Sequence, residues 1–259
     1  MSTVWPDRIS VVGTPISATS SGEVLDLLQN RPTDRATIVA FCNVHSVMTA
    51  RRDPSVASAL LDADIATPDG MPVVWGLRAT GRTAQERVDG PSFMRRALQH
   101  GVVHGWSHFF YGSTEETLGK LVEATRRIAP EASIAGSFSP PFRIPTEDDV
   151  RIAAEQIKES GADLVWVGLG MPKQELWMRS IRHLVPGVAL LGVGAAFDFI
   201  AGTTPRSPAW MQSAGLEWLH RLFLHPRRLW RRYLFNNPAY LALLARDIVR
   251  ARLAHDKTP

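Results

Sequence analysis

Three short runs of this 259-residue chain hold side chains that could do chemistry. Thr67-Pro-Asp-Gly70 places a carboxylate, Asp69, directly after a β-branched run. Pro-Asp-Gly is favoured turn chemistry, yet a carboxylate at a strand end can also act as a general base. Glu86-Arg87-Val-Asp-Gly90 reads as a polar loop. There Arg87 is either surface charge or a phosphate ligand, for which its forked guanidinium is suited. Pro172-Lys-Gln-Glu175 follows another apolar run. Its proline and glutamate are good helix-start residues. Lys173 and Gln174 are not needed for that and fall where a ligand could be held. Asp198 is a lone acid in the apolar stretch 194–202. If buried it must find partners, for example a ribose diol or helix N–H groups.

A fourth run is basic. Residues 206–234 carry Arg206, Arg221, Arg227, Arg228, Arg231 and Arg232 against one acid, Glu217. At about 100° per residue, Arg227, Arg228, Arg231 and Arg232 share one side of a helix, and Leu229, Trp230, Tyr233 and Leu234 the other. Such a helix can lie on an anionic membrane. It can also close over a polyanionic ligand, or be a solvated interdomain or dimer helix. From Arg221 onward nine basic residues face two acids, a balance of +7 that leaves −3 for the rest. A mildly acidic body with a basic tail points to a polyanion at the tail. No nucleic-acid module accompanies it, so an anionic membrane or lipid phosphate is the expected partner rather than nucleic acid.

Other classes fall away. Cys42 is the only cysteine, which excludes an intrachain disulfide and fits a reducing cytoplasm. The first ten residues lack a basic region followed by an apolar run, so no signal peptide is expected. The longest uncharged apolar stretch, 184–197, is too short and too broken by Pro186 and glycines to span a bilayer. Gly168-Leu-Gly170 and Gly192-Val-Gly194 are only half-fingerprints of a dinucleotide site. Asp62-Ala-Asp64 spells the DxD that many sugar transferases use for a metal, but it precedes its strand, on the edge away from the expected site. No metal and no cofactor are therefore expected.

The elements that must position these groups alternate. Strands are predicted over 9–12, 37–42, 64–67, 108–111, 133–135, 164–168 and 189–193. Helices are predicted over 21–29, 46–61, 92–100, 114–128, 146–159, 172–183, 208–223, 226–234 and 238–253. The alternation predicts an α/β fold, a mostly parallel sheet with helices on both faces. Ligands of such sheets bind beyond the carboxyl ends of the strands. The residues placed there are Asn43 and His45, Asp69 and Gly70, Gly112 and Ser113, Gly136 and Phe138, Gly170 and Met171, and Gly194 and Asp198. The alternation ends near 202–208. This divides the chain into an α/β domain, 1–205, and a helical basic appendage, 206–259. Every predicted strand lies upstream of the division, so removal of the appendage is expected to leave a folded core.

Five blocks in order resemble the WecG/TagA/CpsF family of bacterial glycosyltransferases, sometimes described as the GT-E fold. They are TPDGMPVVW (67–75), ERVDGPSFM (86–94), GLGMPKQELWM (168–178), GVGAAFDFIAGTTPRSPAWMQSAGLEWLHRL (192–222) and RRLWRRYL (227–234). The resemblance implies an inverting, metal-independent transfer of an N-acetylmannosamine-type or related hexose from a UDP-sugar. The implied acceptor is a polyprenyl-diphosphate-linked sugar at the inner face of the plasma membrane, in cell-surface polysaccharide assembly. It implies Asp69 as catalytic base, Asn43, Arg87 and Gln174 as pocket residues, and Lys173 and Asp198 near the uridine. Arg221, Arg228 and Arg231 match basic residues of an appendage that binds membrane and helps complete the site, and Arg206 opens the same segment. Gly70, Gly136 and Phe138 join the expected substrate pocket by position. Phe41 stands where many relatives carry a small hydroxyl residue, and His225 where they often carry an acid. A homo-oligomer is compatible with all this. The alternative is a non-catalytic nucleotide or lipid-phosphate binder on the same fold.

Overall fold

The computed structural model describes residues 3–255. Asp256 and Lys257, counted in the tail charge above, lie outside the described residues. The chain opens with β1 (Arg8–Val11) and β2 (Thr14–Ser17), then α1 (Ser21–Gln29), β3 (Thr37–Cys42), α2 (Val44–Ala50), α3 (Pro54–Asp62), β4 (Ile65–Pro68) and α4 (Met71–Ala79). There follow α5 (Gly90–His104), β5 (Ser107–Gly112), α6 (Glu115–Ile128), β6 (Ser133–Phe138), α7 (Glu147–Ser160), β7 (Leu164–Gly168), α8 (Lys173–Ile181), β8 (Ala189–Gly192) and α9 (Ala196–Ile200). The appendage is α10 (Ala209–Ser213), α11 (Glu217–Leu224) and α12 (Pro226–His255).

Six strands form one parallel sheet in the order β4-β3-β8-β7-β5-β6. All of β3 and β8 and most of β7 are buried, as expected of a sheet covered on both faces, whose strands read as continuous apolar runs. One face packs on α2, α3, α4, α7, α8 and α12 through Val47, Val56, Val73, Ile157, Trp177 and Tyr240. The other packs on α1, α5, α6 and α9 through Val24, Phe93, Leu118 and Phe197.

Several elements differ from the sequence reading, each for a local reason. The run at 9–12 is not in the main sheet but in an antiparallel hairpin with β2, which the reading lacks. Its turn residues Val12 and Gly13 both have positive φ, +51° and +81°, the geometry that tight hairpins need. The hairpin braces β4, because Ser17 Oγ accepts from Ala66 N at 3.0 Å. The helix expected over 46–61 splits into α2 and α3. Asp53 is extended and caps α3 by accepting from Ser55 N, and a residue before proline avoids the α region. The helix expected over 208–223 splits at Gly215, whose φ is +72°. The two C-terminal helices expected are one, running through Pro238. Pro238 is exposed, so the carbonyl it leaves without a donor can turn to water. α4 and α9 are additional short helices.

The appendage is not detached from the body. Leu229, Tyr233, Asn236, Tyr240 and Leu244 form a buried stripe along α12. The Tyr240 hydroxyl donates to Pro72 O at 3.0 Å. A Cβ on Gly76 would lie 3.4 Å from Leu244, so α4 and α12 are in intimate contact. Cutting at 205 would uncover the apolar residues of the body that this stripe covers.

Candidate active site

Asp69 sits where β4 turns into α4. Its N–H donates to Cys42 O at 2.9 Å, tying the turn to the end of β3, and Gly70, at φ +114°, lets the chain start α4 at once. Asn43, at the end of β3, caps α2. Its Oδ1 accepts from His45 N at 3.0 Å and Ser46 N at 3.4 Å.

Two cavities meet at Asp69. The larger, about 460 Å³, runs along the carboxyl edge of β3, β8 and β7. It is lined by Gly168, Gly170, Lys173, Gly194, Asp198 and Arg228 among others. The smaller, about 100 Å³, lies between α4 and the appendage. Six residues line both: Asn43, Asp69, Arg87, Glu217, Arg221 and Arg232.

The shared wall is highly charged. Arg87 donates to Glu217 Oε2 at 2.7 Å and lies 3.7 Å from Asp69 Oδ1 and 3.8 Å from Asp89 Oδ2. Burial pushes the Asp69 carboxyl up to about 7. Arg87 and Arg206 oppose the shift, and Asp89 and Glu217 add to it. A carboxyl so placed is a base that can be ionised and still take a proton at neutral pH. Arg232 is drawn down to about 10 by burial, with Arg221 and Arg228 close by, and its Nε has no partner. Three clustered guanidiniums, one with an unpartnered buried N–H, make a site for a multivalent anion. His45, pulled down to about 3 by burial and by Arg232, Arg52 and Arg221, is neutral. Its Nδ1 faces the Asn236 amide at 3.3 Å. Burial also raises Asp198, against Arg228, Arg221 and His225.

Other expected residues take different places. Gln174 lines the large cavity, but its amide is a strut: Nε2 donates to Gly192 O at 2.7 Å, and Oε1 accepts from Gly170 N at 3.2 Å. It holds the β7–α8 loop against β8. Lys173 is exposed at the cavity rim. Gly70 lines the small cavity alone of the two. Gly136 and Phe138 line neither, because β6 is the outer strand of the sheet. A Cβ on Gly136 would meet the Phe109 ring at 2.9 Å, and Phe138 stacks on Tyr111 at 5.9 Å. Arg206 is turned away from both cavities and binds Asp89 at 2.5 Å and Ser92 Oγ at 3.0 Å. Arg231 is also outside, over the Trp230 ring at 5.2 Å.

The helical face of α12 is cut differently from the sequence reading. Arg228 and Arg232 turn to the cavities and Leu229 and Tyr233 to the body. Arg227, Trp230, Arg231, Leu234 and Phe235 are exposed together on the outer face. Arg232, Glu217, Trp218 and Tyr233 were not assigned to the site from sequence. Arg232 could have been found, since it follows Arg228 by four residues, one helical turn.

Asp62 and Asp64 are on the opposite edge and are held by arginines: Arg179 on Asp62 at 2.7 Å, and Arg35 and Arg182 on Asp64 at 2.7 and 2.6 Å. Among the described residues no cluster of three or more His, Cys, Asp or Glu side chains is arranged to hold a metal ion.

A buried carboxyl between two cavities, faced by arginines at the carboxyl edge of a parallel sheet, is an arrangement that suits group transfer on an α/β fold. The sequence profile described as "Glycosyl transferase WecG/TagA/CpsF family" matches residues 9–254. The chain belongs to that family and is a glycosyltransferase. It is similar to the N-acetylglucosaminyldiphosphoundecaprenol N-acetyl-beta-D-mannosaminyltransferase of Bacillus spizizenii, with 31% identity over 208 residues, 80% of this chain and 78% of the relative. It is also similar to the protein of the same name from Bacillus subtilis, with 30% identity over 225 residues, 86% and 85% of the two chains.

Proposed function

We propose that the protein transfers an N-acetylmannosamine-type hexose from a UDP-sugar to a sugar linked through diphosphate to a polyprenyl lipid, with inversion and without a metal. The observation that carries this reading is Asp69, raised to about 7 by burial and set between two cavities that share Arg87, Arg221 and Arg232. An acceptor hydroxyl gives its proton to Asp69 as its oxygen bonds to the anomeric carbon. The bond from that carbon to the diphosphate oxygen breaks, and UDP leaves with the electron pair. Attack and departure on opposite sides invert the centre. The leaving diphosphate gains negative charge, which Arg228 and Arg232 are placed to stabilise in a partly enclosed site. Lys173 and Asp198, which line the large cavity and not the small one, suit the nucleoside.

Among the described residues no helix is long and apolar enough to cross a membrane. The outer face of α12 supplies another route to a lipid-linked substrate. Trp230, Leu234 and Phe235 are 42%, 54% and 62% exposed, with Arg227 and Arg231 beside them. Apolar side chains in the interface and arginines on lipid phosphates would hold the protein on the cytoplasmic face of an anionic bilayer.

The test is transfer from UDP-N-acetylmannosamine to a short-chain diphosphate-linked N-acetylglucosamine, with the product anomer read by NMR and EDTA present throughout. The expected product has the configuration opposite to the donor and forms at an undiminished rate. A retained anomer would refute the single displacement, and a strict requirement for magnesium or manganese would refute metal independence.

A further inference from the structure

The two cavities that flank Asp69 differ in chemistry. The larger has glycine edges, the start of α8, Lys173 and Asp198. Residues lining only the smaller include Met71, Pro72, Trp218, Tyr233, Gln212 and Asn237. Trp218 and Tyr233 meet at 5.9 Å with their rings tilted by 52°, forming an aromatic corner. The Tyr233 ring is buried and fixed by its place in the inner stripe of α12. The charged groups of the shared wall line the same cavity. An aromatic face beside amides and a carboxylate is a surface for a pyranose ring: its C–H face packs on the ring, and its hydroxyls meet the polar groups.

We infer that the smaller cavity is the acceptor subsite, in which a hexopyranose rests against Trp218 and Tyr233 and presents one hydroxyl to Asp69. This rests on the transfer reading above and adds to it a place for the acceptor sugar: the appendage that offers Arg228 and Arg232 to the donor diphosphate also supplies the aromatic wall on which the acceptor rests. Three observations support it. Asp69 lines both cavities while Lys173 and Asp198 line only the larger, so a group in the smaller cavity meets the carboxylate without entering the donor's cavity. Four of the residues named for it, Gln212, Trp218, Tyr233 and Asn237, belong to the appendage, the same unit whose outer face carries the exposed Trp230, Leu234 and Phe235. Glu217 holds Arg87 at 2.7 Å on the wall between the cavities. It therefore sets the position of the guanidinium that separates donor from acceptor, as a positioning residue.

The test measures binding, so that it does not depend on turnover. The protein is first loaded with UDP. Farnesyl-diphosphate-linked N-acetylglucosamine is then titrated in by calorimetry, with farnesyl diphosphate as the control for the lipid and phosphate alone. The sugar-bearing probe is expected to bind more tightly than the control. Trp218→Ala and Asn237→Ala are each expected to lower its affinity at least tenfold while shifting UDP affinity less than twofold. Trp218→Phe, which keeps a ring, is expected to recover most of the loss, and it separates a lost contact from a lost fold. Equal binding of probe and control by the wild type would overturn the inference. So would Trp218→Ala weakening UDP-N-acetylmannosamine as much as the acceptor, since the cavity would then hold the donor sugar. Intact acceptor binding without any transfer would count against the proposed reaction and leave this assignment standing.

Discussion

Asp69→Asn is expected to move activity and stability in opposite directions. Asp69 is 20% exposed along its side chain, and burial lifts its carboxyl from 3.8 to about 7. Its folded-state value lies above its unfolded one, so it costs nothing below about pH 4, where both states are protonated. The cost grows as pH rises and is complete above about 7. At roughly 1.4 kcal/mol per pH unit between the two values, keeping the ionised group in the fold costs up to about 4 kcal/mol at pH 8. Asparagine is nearly isosteric and carries no charge. Arg87 retains Glu217 at 2.7 Å and Asp89 at 3.8 Å, so the guanidinium is not left unpaired. Urea unfolding at pH 8 is expected to show the variant more stable than wild type by a few kcal/mol, and at pH 5 by less than about 2 kcal/mol. Turnover is expected to fall about 100- to 10,000-fold, the usual loss of a general base. A variant no more stable than wild type at pH 8 would refute the burial argument. Near-normal transfer by a folded variant would refute the base assignment.

Three other outcomes follow from the same geometry. In wild type, kcat/KM is expected to fall about tenfold per pH unit below about 7, because only ionised Asp69 accepts a proton; a rate flat from pH 5 to 8 would contradict this. Trp230→Glu combined with Phe235→Glu is expected to weaken sedimentation with anionic liposomes at least tenfold, since both residues are on the exposed face; unchanged sedimentation would remove α12 from the membrane. Gly112→Ala is expected to destabilise by about 2 kcal/mol or more. Gly112 has φ +117°, and a Cβ there would lie 2.8 Å from the Gly168 backbone, so a thermal midpoint equal to wild type would show that the β5–β7 contact can give way.

How far the sequence could be read depended on what each signal encodes. β3 and β7 were legible to the residue, because a short apolar run buried on both faces has no other use. The carboxyl-edge rule brought Asn43, Asp69, Lys173 and Asp198 to one cavity. The same rule misplaced Gly136 and Phe138, since a sequence shows where strands end but not their order, and β6 lies at the sheet's margin. Period alone gives a helix wheel without a zero. Both arcs of α12 carry aromatic residues, so only packing decided that Tyr233 faces in and Trp230 out. Glu217 and Arg87 are 130 residues apart, and no local pattern links them. Pro238 was read as the start of a second helix, and the stripe from Leu229 to Leu244 runs through it without a break.

That single helix ties three tasks to one register. Each residue of α12 turns the chain by about 100° and advances it about 1.5 Å. Arg228 and Arg232 reach the cavities, Tyr240 and Leu244 clamp the body, and Trp230 and Phe235 look outward, all at fixed angles to one another. One residue inserted between Arg232 and Tyr240 would rotate the clamp relative to the arginines, so that only one of the two could be seated. Substitution on the outer face changes nothing in this phase relation. The length of the segment is therefore constrained as tightly as its composition, since an insertion or deletion there puts the arginines, the clamp and the outer face out of phase at once.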